Sequence, residues 1–319
     1  MTLQKNLLRL CRRSGTSRRK SLAILQSSTW ARMIIAGILL ITGTFPARTT
    51  ADDRKSSSGG QWRSLPLITD GKINPAWAQV GWGGFAVDGE AIRTECDERG
   101  MGLLFYKPEK FGDCQVRIVY RTETPKSNAG VFVQMDDGIV SKIGEKSPEV
   151  HRDAKGKLSP EMINKLKEAS EKHLGGWYPV HHGYEVQIQD SGGQWHRTGS
   201  IYSLAKAAPV PEKPQSDWRT MIITLDGERI TVDVDSKHLS SFDPSAADNP
   251  PRKNWTEPIR ELKRPTHGYI GLQNHDPGDV VWFKEVSVRP SNEGRNEVIP
   301  RREREHGLTS ASPGFLVDL

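Results

Sequence analysis

The feature that most constrains this chain is a two-residue alternation of apolar and polar side chains that keeps returning along its middle. In residues 184–189 the apolar set Tyr184, Val186, Ile188 alternates with Glu185, Gln187, Gln189. That period turns one face toward a core and the other toward water, the mark of a half-buried strand. Residues 221–225 and then Ile230, Val232 and Val234 flank Asp226-Gly227, whose positive φ preference suits a tight hairpin turn. Further strands are predicted over 115–121, 130–135, 268–275 and 280–289, giving at least seven. Many short strands with Gly/Pro punctuation and few helices predict an all-β sandwich.

One segment departs from that period. Ser159-Pro160-Glu161, then Met162, Ile163, Leu166, Ala169 and a closing Gly175-Gly176, reads as a helix with a serine N-cap, proline at its first position and a glycine stop. It falls in an insertion of about 45 residues between the strands ending near Met135 and starting at Tyr184, too long for a hairpin loop. Such an insertion serves as a lid over a site or a decoration on the rim; the lid is the favoured expectation.

The ends read differently. Residues 33–44 are an uncharged apolar run, preceded by Arg12, Arg13, Arg18, Arg19, Lys20 and Arg32 and followed by Thr49-Thr50-Ala51. This is the order of a secretory signal, with cleavage expected after Ala51 and export to the periplasm or the exterior. The run falls short of the roughly 20 apolar residues a membrane span needs, so no stable span is expected once the leader is cut. Residues 52–61 read as a flexible spacer, 62–290 as one domain, and 291–319 as a charged tail too poor in apolar periodicity to build a core.

The leader also decides the charge argument. The whole chain carries a formal charge of +6, but residues 1–51 hold nine bases and no acid, which leaves 36 bases against 39 acids, a net charge of −3. Basicity therefore belongs to the leader, and no nucleic-acid partner is implied. Cys11 leaves with that segment, so Cys96 and Cys114 remain either to pair or to stay as thiols.

The polar faces of three strands carry the chemistry. Period 2 puts Glu185 with Gln187, Tyr269 with Gln273 and His275, and Asn128 with Phe132 and Gln134. A carboxylate, an imidazole, several amides and an aromatic ring form a set able to hold a polyhydroxylated ring. Trp82, Trp177, Trp195 and Tyr202 lie near loops as plates for a sugar's C–H face. His181-His182 lacks further His or Cys at ligand spacing, so no metal ligands are assigned. Glu185 and Asp190 are five apart and fall on opposite faces, so the two-carboxylate glycosidase mechanism is not written on this strand.

At these residues the chain resembles the 3-keto-disaccharide hydrolase domain family, also called the 3-keto-glucoside 1,2-lyase / 3-keto-2-hydroxy-glucal hydratase domain. The carriers are Asn128-Ala129-Gly130-Val131-Phe132, the run from Gly183 to Asp190, Thr198-Gly199-Ser200-Ile201-Tyr202, Asp217-Trp218, Asp226-Gly227 and Gly271-Leu272-Gln273-Asn274-His275. The resemblance implies a concanavalin A-like jelly-roll sandwich acting on glycosides already oxidised at C3. A C3 ketone acidifies the C2 proton, so a base can remove it, the C1 oxygen leaves by elimination, and water adds back. Face geometry and the family motif together make Glu185 the favoured base or ligand-orienting carboxylate and His275 its acid/base partner, with Asn128, Gln134, Gln187, Tyr202, Gln273 and Trp177 as the expected substrate contacts. No cofactor is fixed by the motifs, and a divalent cation stays open. The chain departs from the family pattern at Gln134, often an arginine there, and at Asp217-Trp218-Arg219, often Glu-Trp-Asn. A lectin-like module that binds sugar without turnover is the alternative, since the same sandwich serves both.

Overall fold

A computed structural model of the protein describes residues 60–246 and 249–291. The leader, almost all of the spacer and all but the first residue of the tail lie outside the described residues. Two antiparallel sheets face each other. The larger runs in the order Lys237–Phe242, Arg229–Val234, Arg219–Asp226, Cys114–Thr122, Val281–Pro290, Ala91–Glu95, Gly84–Asp88, with Arg63–Ser64 paired to the far end of Val281–Pro290. The smaller runs Tyr184–Ile188, Ala129–Met135, Tyr269–Asn274, Gly102–Tyr106, Trp77–Gly81. This is an all-β sandwich of the concanavalin A-like jelly-roll type with a helical insertion.

Alternation builds the layers. Along Cys114–Thr122 every second residue points inward and is buried, Val116, Ile118 and Tyr120 among them, while Gln115, Arg117 and Arg121 stay half-buried on the outside. They meet Val131, Val133, Val186, Ile188, Ile270 and Leu272 of the smaller sheet in one continuous core. Each fully buried aliphatic side chain there contributes about 1.5–3 kcal/mol. The Asp226-Gly227 hairpin forms as predicted, with Gly227 at φ 56°. Both cysteines of the domain are free thiols; Cys114 is buried in the core, and burial pushes its thiol up to about 12.

The other face of the smaller sheet differs from the expectation. Rather than meeting water, it is roofed: Leu103, Phe105, Phe132 and Met135 pack against Ile139, Tyr178 and Val180 of the insertion in a second apolar cluster. The whole of Tyr184–Ile188 is buried as a result. The insertion contains the predicted helix, Pro160–Glu171, with Ser159 Oγ accepting from Met162 N at 3.1 Å. It also contains a short helix, Trp177–His182, that alternation and capping signals did not reveal. That short helix, not the longer one, lies against the sheet.

Candidate active site

Three adjacent strands and the short helix enclose a cavity of about 210 Å³. Glu185 and Gln187 enter from one strand, Asn128 from the start of the next, Gln273 and His275 from the third. Trp177 and Val180 of the short helix, Tyr202, Thr256 and Met101 close it. Tyr202 is carried there because residues 198–205 run along the free edge of the Tyr184–Ile188 strand, with Tyr202 N donating to the Glu185 carbonyl at 2.9 Å and Gln187 N to that of Ser200 at 3.0 Å. Trp177 leans on Trp255, ring centres 5.4 Å apart.

Glu185 is only 8% exposed. Burial pushes its carboxyl up to about 7, with the His275 charge and the Gln273 amide drawing it part of the way back. Gly130 makes room for it, since a β-carbon there would stand 2.6 Å from Glu185 Oε1. Burial alone would lower the His275 imidazole, but its bond to Asp279 and the charges of Asp276, Asp279 and Glu185 outweigh that and raise it. Its Nδ1 lies 3.2 Å from Asp279 Oδ2. The cavity thus holds a carboxyl raised toward neutrality together with an imidazole raised above its usual value, the pattern that marks candidate acid/base groups.

The amides supply the rest. Gln187 Nε2 donates to Asn128 Oδ1 at 2.5 Å and to the Ala129 carbonyl at 3.3 Å. The Oε1 atoms of Gln187 and Gln273 are buried with no partner among the described residues. A buried acceptor left open costs about 1–3 kcal/mol, so two of them on one cavity favour a ligand rich in hydroxyl donors.

Of the predicted site residues, Glu185, His275, Asn128, Gln187, Tyr202, Gln273 and Trp177 come together here. Gln134 does not. Its strand carries an extra residue between Phe132 and Met135 relative to Tyr269 and Gly271, and Gln134 takes φ 52° at that bulge. The bulge breaks the two-residue period, and its Nε2 donates instead to the Gly227 carbonyl at 2.8 Å. Trp82 and Trp195 are also elsewhere: Trp82 is buried and donates to the Ser147 carbonyl at 2.8 Å, while Trp195 lies under Lys206.

Asp190 belongs to the scaffold, bonded to Thr198 and paired with the buried Arg219 at 3.3 Å. The family departure at Arg219 therefore sits in an ion-pair network with Asp190 and Asp235, not in the cavity. His181 is fully buried between Ser170 Oγ and Ile259 N, and burial pushes it down to about 3, so it stays neutral. His182 bridges Asp136 and His173. Among the described residues no group of three or more His, Cys, Asp or Glu is placed to hold a metal ion. Nor is any described helix long and apolar enough to cross a membrane.

Asp279 is the site residue that the alternation did not reveal. The signal lay in Asp276-Pro277-Gly278-Asp279, a type II turn signature with proline and glycine at its two centres. Gly278 takes φ 90° and Asp279 N donates to the Asp276 carbonyl at 3.0 Å, which folds the Asp279 carboxylate back beside His275.

A sandwich that gathers one carboxyl, one imidazole and several amides in a roofed cavity has the site of a carbohydrate-active protein. Residues 61–289 match the family model described as the 3-keto-alpha-glucoside-1,2-lyase-like domain, and the chain belongs to that family. No curated protein matches the sequence. In solved structures the chain is similar to a Parabacteroides distasonis protein provisionally named a glycosyl hydrolase, at 20% identity over 73% of this chain and 100% of that one, TM-score 0.48. It is also similar to a Bacillus subtilis protein of unknown function with a galectin-like fold, at 13% identity over 72% and 96%, TM-score 0.47. A third is the carbohydrate-binding module CBM66 from Bacillus subtilis, at 10% identity over 70% and 99%, TM-score 0.39.

Proposed function

We propose that this protein is an exported enzyme that cleaves 3-keto-glycosides by elimination and rehydration. The observation that carries this reading is Glu185: a carboxyl raised to about 7, sharing one small cavity with an imidazole. A module that only binds sugar gains nothing from burying an ionisable carboxyl, whereas a base that must act near neutrality requires it. Export is supported by the basic, apolar, small-residue order of residues 1–51.

In the reaction Glu185 takes the proton from C2 as the C2–H bond breaks. The electron pair forms C1=C2, the C1–O bond breaks, and His275 in its protonated form gives its proton to the departing oxygen. The C3 ketone accepts charge during proton removal, and an amide N–H of Gln273 or Asn128 is the donor for its oxygen. Once the aglycone has left, the Glu185 carboxyl exchanges its proton with solvent. Water then adds across C1=C2, its hydroxyl going to C1, its second proton going to the neutral His275 and the exchanged Glu185 proton going to C2, which restores both groups. The sum is hydrolysis, with one carboxylate instead of two. Gln187 and Gln273 Oε1 accept from the ring hydroxyls.

Glu185→Gln and His275→Ala, assayed for aglycone release from a 3-keto-glucoside and from its unoxidised parent, test this. Loss of release in both variants, with no release from the parent by the unaltered protein, supports it. Full turnover by both variants rejects it, and sugar binding without release by the unaltered protein points to the lectin-like reading.

A further inference from the structure

We infer that Asp279 is a positioning residue that sets the proton on His275 and the place of the Asn128–Gln187 pair through one carboxylate; this rests on the reading of Glu185 and His275 as the reacting pair. The geometry is a fork. Asp279 Oδ2 receives His275 Nδ1 at 3.2 Å and the Asp276 backbone N–H at 3.1 Å. Its other oxygen, Oδ1, accepts the backbone N–H of Asn128 at 3.1 Å. Asn128 in turn receives the Gln187 amide, so both halves of the cavity hang from one side chain.

The carboxylate is itself anchored from the opposite sheet. The Asp279 carbonyl accepts from Thr94 Oγ1 at 2.9 Å and from Cys96 Sγ at 3.2 Å, next to the Ala91–Glu95 strand of the larger sheet. Its chain direction is fixed by the Pro277-Gly278 turn. A carboxylate that only accepts forces Nδ1 of His275 to carry the hydrogen, which leaves Nε2 as the exchangeable position for substrate. Two further acids bear on the ring: Asp276, at 3.8 Å from Nδ1 and paired with Arg152 at 3.5 Å, and Glu185 of the same cavity, whose charge also favours the imidazolium.

Nitrogen-15 NMR of the full-length protein reads the neutral tautomer of His275 without any turnover. Hydrogen on Nδ1 is expected; hydrogen on Nε2 overturns the inference, whether or not any variant folds. In Asp279→Asn, with folding checked by circular dichroism, the His275 pKa is expected to fall by about one unit, kcat to fall about 10²-fold or more, and KM to rise. Asp276→Asn, which keeps the backbone N–H bond, is expected to move the imidazole less. An unchanged His275 pKa in a folded Asp279→Asn overturns positioning even if Glu185→Gln is inactive. Full turnover by Glu185→Gln, with Nδ1 still protonated and the Asp279→Asn shift intact, sinks the reaction reading and leaves the positioning standing.

Discussion

Gly130 and Glu185 meet diagonally across two paired strands, and the missing side chain of one is the space occupied by the other. Gly130 is in register with Gln187 and Phe132 with Glu185, so all four point to the cavity face. A β-carbon on residue 130 would stand 2.6 Å from Glu185 Oε1 and 2.8 Å from its Cγ. Gly130→Ala is therefore expected to displace the carboxylate by several tenths of an ångström or more and to cut kcat/KM about 10- to 100-fold. Because the collision falls on the Glu185 side chain and not on backbone, thermal unfolding should move little. Steady-state kinetics beside a melting curve check both halves.

The pH profile follows from the two raised groups. Glu185 must be deprotonated to act as base, so activity rises with pH through about 7. His275 must be protonated to act as acid, so activity falls again as pH passes its raised value. A bell-shaped kcat/KM profile with its acid limb near 7 and an alkaline limb set by the raised imidazole is expected, reporting the coupled pair as a unit. Glu185→Gln should remove about 10² to 10⁴ of the rate at the optimum. A rate that keeps rising into alkali, or an acid limb near pH 4.5, contradicts the assignment.

The same groups make a stability prediction. A carboxyl whose folded value is raised from 4.5 to about 7 binds its proton more tightly in the folded state. Folding stability therefore declines as pH rises from about 4.5 to 7, by about 3 kcal/mol from this group alone. His275, also raised, adds stability that is complete below 6.5 and is lost as pH rises through its folded value. Glu185→Gln is accordingly expected to unfold at higher denaturant concentration than the unaltered protein at pH 8, with the gap closing toward pH 4.5. Denaturant titrations at the two pH values measure it.

Much of the fold was legible in the sequence because its signals are local. Alternation along residues 184–189, the Asp226-Gly227 turn and the Ser159-Pro160 cap each need only neighbouring residues to be read, and each element stands where expected. The roof over the polar face was not legible, since alternation gives two faces without saying what covers either. That cover is what turns Glu185 from a solvated side chain into a buried one. Gln134 was misplaced because a bulge shifts phase by one residue, and nothing in the residue types of 129–135 announces it. Asp279 was missed for a different reason: a turn, not a strand face, brings it to His275.

Two substitutions separate scaffold from site. Gln134→Ala loses a bond to the Gly227 carbonyl and should cost about 1 kcal/mol of stability while leaving kcat and KM within twofold. Arg219→Met leaves the Asp190 carboxylate, which is 6% exposed, with only the neutral Thr198 and Gln215 donors, and leaves Asp235 to Lys213 alone among its cations, at 3.6 Å. Removing one member of such a buried network costs about 3–5 kcal/mol. Chemical denaturation of both variants, with kinetics on the folded fraction, tests the division.

The measurement that bears most directly on elimination is the fate of hydrogen at C2. A 3-keto-glucoside is cleaved in deuterium oxide by the full-length protein, beside Glu185→Gln and an enzyme-free control, and the keto-sugar released is analysed at C2 by proton NMR. Proton removal by Glu185 and rehydration across C1=C2 predict one solvent deuterium at C2, acquired no more slowly than the aglycone is released and far faster than in either control. Cleavage that leaves the original hydrogen at C2, or equal labelling without Glu185, would contradict the mechanism.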